Sequence, residues 1–339
     1  MKLPLHFFLL ALVLFSPLYV EATDPQPKIL KGPYLGQKLP GTRAEMFAPG
    51  IASTGLHDDM GPAFSPDGNE VFFRIAGKPY GIITTMKQVN GTWTQPDLAF
   101  WSGQYADGFV YHSYDGKKLY FGSKRPVDDS NQPARQSHIW ETERTAAGYG
   151  KPRRIETPFA DDQTLYMAGL SAQGNVYINH RIQIDGTINF DLYQCQVKDG
   201  KLKNPQKIDL GIDRKYMAFG GAVDPNERYM VISIRNMEDS LGDDDLYVSF
   251  RNVDETWSRP IHLGDKVNST RSDSWPRISP DGKFLFFVSW RYNGESFSEK
   301  PLTYEEVMAK KTSAGYGWGA DVYWVSTQVI EQLKPEVVE

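Results

Sequence analysis

One hairpin, written several times over, limits what this chain can fold into. In its clearest copy, Asp273 to Arg291 (DSWPRISPDGKFLFFVSWR), a strand over Trp275 to Ser279 meets a tight turn at Pro280-Asp281-Gly282. A second strand then runs over Phe284 to Ser289. Proline presets φ for the turn and glycine accepts positive φ, so S-P-D-G between β-rich runs specifies a hairpin for a physical reason. The signal recurs as FSPDGNEVFF (Phe64 to Phe73) and HSYDGKKLYF (His112 to Phe121). Weaker copies are LSAQGNVYI (Leu170 to Ile178) and VDPNERYMVI (Val223 to Ile232).

Each copy has a second half. A strand of Asp-apolar-Tyr character follows at Asp191-Leu-Tyr193, Asp245-Leu-Tyr247 and Asp321-Val-Tyr323, with His138-Ile-Trp140 as a variant. An aromatic or leucine then precedes a proline by three residues, at Trp93/Pro96, Tyr149/Pro152, Leu202/Pro205 and Trp257/Pro260. Proline cannot donate to a ladder and belongs on a sheet edge, so each unit reads as four antiparallel strands with the fourth outermost.

The turn positions Asp67, Asp115, Gln173, Asn226 and Asp281 are 48, 58, 53 and 55 residues apart. A four-stranded unit at that period predicts a β-propeller. The last unit has no outer strand after Asp321-Val-Tyr-Trp-Val325, and Phe47-Ala-Pro-Gly-Ile51 supplies the missing copy. The expectation is an all-β, five-bladed β-propeller of four-stranded antiparallel blades, closed by an N-terminal strand over 45–51. The blades are expected at about 59–99, 107–156, 165–208, 217–263 and 273–327 within a single domain over 45–330, followed by a tail over 331–339.

Ahead of the propeller, Lys2 and the apolar run Leu5 to Val20 read as a secretory signal with a cleavage site at Val20-Glu21-Ala22. Residues 1–22 are therefore expected to be removed, and residues 23–44 to form an extended lead-in. The run is shorter than a spanning helix requires, so no membrane span is expected. The single cysteine, Cys195, has no lipoprotein-type setting and reads as a buried strand residue. The expected location is periplasmic or secreted, as a monomer. A net charge of −5 argues against nucleic acid.

The S-P-D-G-K turn, the strand ends Ser289-Trp-Arg291 and Ser123-Lys-Arg125, and the D-[LV]-Y strands resemble the WD40-like (PD40) repeat of TolB-like β-propeller proteins. The likeness runs over about 45–330. It implies the propeller fold and a binding site at one mouth of the central channel, where inner strands converge. It implies little about activity, since propellers host many.

No G-x-S-x-G elbow, H-E-x-x-H, Cys/His cluster or phosphate-binding loop is present, so neither a cofactor nor a metal is implied. Gly242-Asp-Asp-Asp245 reads as a solvated charge run. Thr303-Tyr-Glu-Glu306 reads as a capping box opening a short helix through Lys311, inside the long insertion 292–319. The arginines Arg74, Arg125, Arg181, Arg235 and Arg291 end the second strand of every unit and read as structural. Aligned inner strands place Asp59, Asp107 and Asp273 at one position, with Leu165 and Ala218 in the other two units. These aspartates, with His57, Trp275 and Tyr166 nearby, form the candidate site. The expected function is non-enzymatic binding of a protein or envelope glycan. The alternative is a glycan hydrolase using two of the carboxylates, which would have to flank the sugar about 5–10 Å apart.

Overall fold

The computed structural model describes residues 29–55, 59–77, 79–129, 131–146, 148–292, 300–311, 313–315 and 319–335. The expected signal segment lies outside them. Five antiparallel sheets are arranged as a ring. From the axis outward, blade one comprises Asp59–Phe64, Glu70–Ile75 and Ile82–Val89; blade two Asp107–His112, Lys118–Ser123 and His138–Thr145. Blade three comprises Leu165–Leu170, Asn175–Ile184, Thr187–Lys198 and Lys201–Lys207; blade four Met217–Val223, Tyr229–Arg235, Asp244–Phe250 and Ile261–His262. Blade five comprises Asp273–Ile278, Phe284–Ser289 and Asp321–Ser326.

The repeated turn explains why the hairpins recur. In blade one the Ser65 hydroxyl donates to Asp67 at 2.5 Å and accepts the Glu70 amide at 2.9 Å. Ser113 and Ser279 repeat both bonds with Asp115 and Lys118, and with Asp281 and Phe284. The glycines that follow stand at φ +70°, +68° and +72°, where a side chain would be strained.

The outer strands of blades one and two are each split, into Thr92–Trp93 with Asp97–Leu98 and Gly148–Tyr149 with Arg153–Arg154. Pro96 and Pro152 fall in the breaks, as edge positions require.

The core is five separate clusters, one in each seam between neighbouring blades. Each sheet is thus apolar on both faces, and no blade can bury its surface alone. Closure of the seam between blades five and one is therefore a condition of stability.

The N-terminal strand makes that closure, but it is shorter and earlier than expected. Only Glu45 and Met46 pair, opposite Trp324 and Tyr323, and the Phe47 amide adds one bond to the Val322 carbonyl at 2.8 Å. The chain then leaves the sheet, because Ala48 turns to φ +43° and Pro49 has no amide to donate. Phe47 enters the seam fully buried, against Phe286 and Trp324. The described part of the lead-in is packed rather than free. Tyr34 lies edge-on to Phe64 and Phe284, and the Gly32 carbonyl accepts from Trp93 Nε1 at 2.8 Å.

The helix in the insertion runs over Tyr304–Lys311, with the capping box made in both directions between Thr303 and Glu306. Among the described residues no helix is long and apolar enough to cross a membrane.

Phe47→Ala should lower the free energy of unfolding by about 3–5 kcal/mol, because it opens a cavity in the seam that closes the ring. A urea midpoint equal to that of the unmodified protein would show that closure does not depend on this residue.

Candidate functional site

The inner strands are in register around the axis. Asp59, Asp107, Leu165, Ala218 and Asp273 each open an inner strand or pair near its start, opposite Ile75, Ser123, His180, Ile234 and Ser289. Just beyond, every inner strand carries a register irregularity. At this point Phe109 and Trp275 adopt φ +54° and +52°, matched by Gly220 at +64°. Bulky residues avoid this region, at a cost of roughly 1–2 kcal/mol each.

The bulges bring aromatic rings together at this mouth of the channel. Phe109 lies 5.2 Å from Tyr166 and 5.1 Å from Trp275, centroid to centroid. Trp275 lies 5.1 Å from Phe219, which meets Phe190 at 5.9 Å. Blades two, three, four and five thus share one aromatic cup. All its rings are half-buried except Phe219, which is buried.

Below the cup the channel is shut. Two residues further along each inner strand stand Ala63, Tyr111, Gly169, Ala222 and Arg277. Arg277 lies over the Tyr111 ring at 4.3 Å and donates to the Val110 carbonyl at 2.6 Å. The Tyr111 hydroxyl donates to the Ala168 carbonyl at 2.9 Å. Two long side chains fill the waist because the other three blades offer Ala, Gly and Ala. Glycine is needed for the same reason in the layer above. A Cβ on Gly220 would sit 3.1 Å from the Trp275 ring, and one on Gly61 would sit 3.3 Å from Arg277 Cδ. Cavities of about 20 Å³ above the waist and about 60 Å³ below it hold a few waters at most. A ligand of sugar size approaching this mouth would therefore rest on the cup rather than enter the channel.

The structure places the expected site residues unequally. Trp275 and Tyr166 belong to the cup. His57 lies outside the described residues, as does the Asp59 side chain. Asp107 and Asp273 are buried, and each is held within its own blade. Arg291 donates Nη2 to Asp273 at 2.7 Å and to the Val267 carbonyl at 2.5 Å. Ser269 adds its amide and hydroxyl to the other carboxylate oxygen at 2.6 and 2.7 Å. Arg125 repeats the arrangement with Asp107 at 3.3 Å and the Trp101 carbonyl at 2.8 Å. Burial pushes the Asp107 carboxyl above its usual range, opposed by Ser123, Arg125 and Ser102. Both aspartates therefore tie the inner strand to the connection from the preceding blade.

The arginines occupy different register positions rather than one. Arg125 and Arg291 stand two residues beyond the position paired with the inner-strand start, Arg181 and Arg235 one beyond, and Arg74 one before. Phe109, Phe190 and Phe219 were missed in sequence, because each reads as an ordinary strand aromatic. Of the Asp243 to Asp245 run only Asp243 is exposed: Asp244 and Asp245 are buried, and Asp245 accepts from the Leu241 amide at 2.5 Å and lies 2.9 Å from His262 Nε2. Among the described residues no group of His, Cys, Asp and Glu could hold a metal ion.

No family model matches the chain, and no curated protein matches it. Its shape is similar to that of a putative TolB from Agrobacterium tumefaciens, with 19% identity, 71% of this chain and 73% of that one covered, and a TM-score of 0.46. A GH43_12 protein from a capybara gut metagenome gives 10% identity, a TM-score of 0.48, and 87% and 55% coverage. An alpha-L-arabinofuranosidase from Lactobacillus brevis gives 13%, 0.41, and 80% and 90%. These overlaps leave the ligand to be argued from the chain's own geometry.

Asp273→Asn should cost about 3–5 kcal/mol, the usual penalty for breaking a buried pair and leaving its arginine uncompensated. Unchanged stability would show that the bracket to Arg291 does not hold the blade. A second outcome concerns pH. His112, 8% exposed beside the lower cavity, has its pKa pushed down to about 3 by burial first, then by Arg144. Its folded pKa lies below its unfolded one, so its contribution is present above about pH 6.5 and is lost as pH falls toward 3. Between pH 7 and 5 that loss is about 2 kcal/mol. In His112→Phe the drop in unfolding free energy over this interval should shrink by that amount, and an equal drop in both proteins would refute it.

Proposed function

We propose that this protein is a non-catalytic, carbohydrate-binding propeller that takes its ligand on the aromatic cup at the channel mouth. The observation that carries this reading is the backbone of Phe109 and Trp275. Two bulky residues are held in the left-handed region at the same bulge, where a glycine would sit without strain. Strain of this kind accumulates where a side chain is presented for use. Half-buried ring faces over a shallow, closed floor suit the apolar face of a sugar ring. The export signal read over 1–22 would bring the protein to envelope or extracellular polysaccharide.

Glycoside hydrolysis needs two carboxylates free to exchange protons beside the sugar. Asp107 and Asp273 are each committed to an arginine in their own blade, which supports binding over catalysis.

Trp275→Gly separates a presented ring from a core ring, because glycine relieves the positive φ while removing the indole. On arrays of envelope and plant-wall oligosaccharides the unmodified protein should be retained and the variant should bind at least about tenfold more weakly. Its melting temperature should stay within about 5 °C, as relief of strain offsets lost contacts. Retained binding, or collapse of the fold, would overturn the assignment.

A further inference from the structure

The ladders of blades three and four are alike in position and unlike in charge. In blade four Arg235 stands directly across from Asp244 and donates Nε and Nη2 to its two oxygens at 2.6 and 2.9 Å. In blade three the same place is held by Arg181, and the residue across from it is Phe190. The carboxylate has been replaced by one of the cup's own rings. Arg181, a half-buried residue, uses its backbone amide on the Thr164 carbonyl, but among the described residues no acceptor meets its guanidinium.

Three neighbours fix where that charge acts. Phe190, its cross-strand partner, touches Tyr166 at 6.4 Å and Phe219 at 5.9 Å. The Tyr166 hydroxyl, raised by burial, is pulled back down by Arg181 and then by Arg74, and strand alternation puts Arg181 and Phe190 on the same side of the sheet as Asn179 and Tyr166. Two residues before Arg181, on the same side of the strand, Asn179 pairs across from Tyr166. It is 1% exposed, and neither of its amide atoms has a hydrogen-bond partner. Arg74 carries the other positive charge at this mouth. It lies over the Phe109 ring at 5.8 Å and is engaged with the Asp107 carbonyl.

We infer that the ligand of the cup is an acidic sugar, a uronate type, whose carboxylate pairs with Arg181 as Asp244 pairs with Arg235 in blade four. This rests on the carbohydrate reading above. A half-buried arginine without a counter-ion is unfavourable, and its planar fork matches a carboxylate in two parallel bonds. A neutral sugar would stack on the same rings and leave Arg181 unanswered. An acidic protein of net charge −5 would otherwise repel such a ligand, so the local cation decides the choice.

The test uses the full mature chain and, as probes, oligogalacturonate, oligoglucuronate and oligomannuronate, each beside its neutral methyl ester. Titration calorimetry should show the acid form bound about tenfold or more tightly than its ester, which corresponds to one charge-assisted contact. Arg181→Gln should bind acid and ester alike, at the level the unmodified protein shows for the ester. Arg181→Lys should recover part of the preference, and raised salt should erode it. Equal binding of acid and ester by the unmodified protein, or a preference that survives in Arg181→Gln, would overturn the role of Arg181 and leave the cup as a sugar site. Failure of the unmodified protein to bind any of the sugars overturns the carbohydrate reading as well. Retention of an acidic peptide in place of all six sugars does the same. Arg181 supports no cluster of the core, so these variants are expected to melt with the unmodified protein.

Discussion

At its waist this ring of five sheets leaves room for large side chains from only two blades. The rest of the structure answers to that limit. At the waist Tyr111 and Arg277 are the two, and Ala63, Gly169 and Ala222 make way for them. One layer up Phe109 and Trp275 stand with Met167, and Gly61 and Gly220 yield. The same packing that shuts the channel lifts aromatic rings to its mouth. A site here is a consequence of how the axis is filled, because whatever cannot go down must lie on top.

Electrostatics follow from the same geometry. A carboxylate at the start of an inner strand is removed from water and stays charged only beside a cation. Arg125 and Arg291 provide it, and in doing so their guanidinium groups also tie the inner strand to the carbonyl of the incoming connection. The acidic sector expected at the mouth is thereby neutralised where it can be described. Arg181 then stands beside the cup with no carboxylate across its ladder. One substitution within a repeated ladder, phenylalanine where blade four has Asp244, separates an arginine that serves the fold from one left without a partner.

The stability of the ring is equally collective. Each seam has its own apolar cluster, and each sheet contributes to two of them. The N-terminal strand joins the sheet of blade five through a short pairing, two residues with one further bond from Phe47. Its security comes from aromatic packing, in which Phe47, Phe64, Phe286, Trp324 and Tyr34 meet at centroid distances of 5.0 to 6.2 Å. The lead-in strengthens the seam between blades five and one because Tyr34 is part of the same group.

The amino-acid sequence by itself determined the blade, its number and the need for an N-terminal closing strand. Those features are local: S-P-D-G makes its turn from its own serine, aspartate and glycine, and proline marks an edge wherever it falls. It also determined the helix over Tyr304–Lys311, since a capping box is complete within four residues. It singled out Trp275 and Tyr166 but not Phe109, Phe190 or Phe219, whose meeting with them depends on how four different blades come together. It could not tell a solvated aspartate run from the buried Asp244 and Asp245, nor a paired arginine from Arg181. Those distinctions depend on which residue stands across a ladder some ten positions away and on how far water reaches. Only the closed ring decides either, because burial and cross-strand partnership exist only once five sheets share one axis.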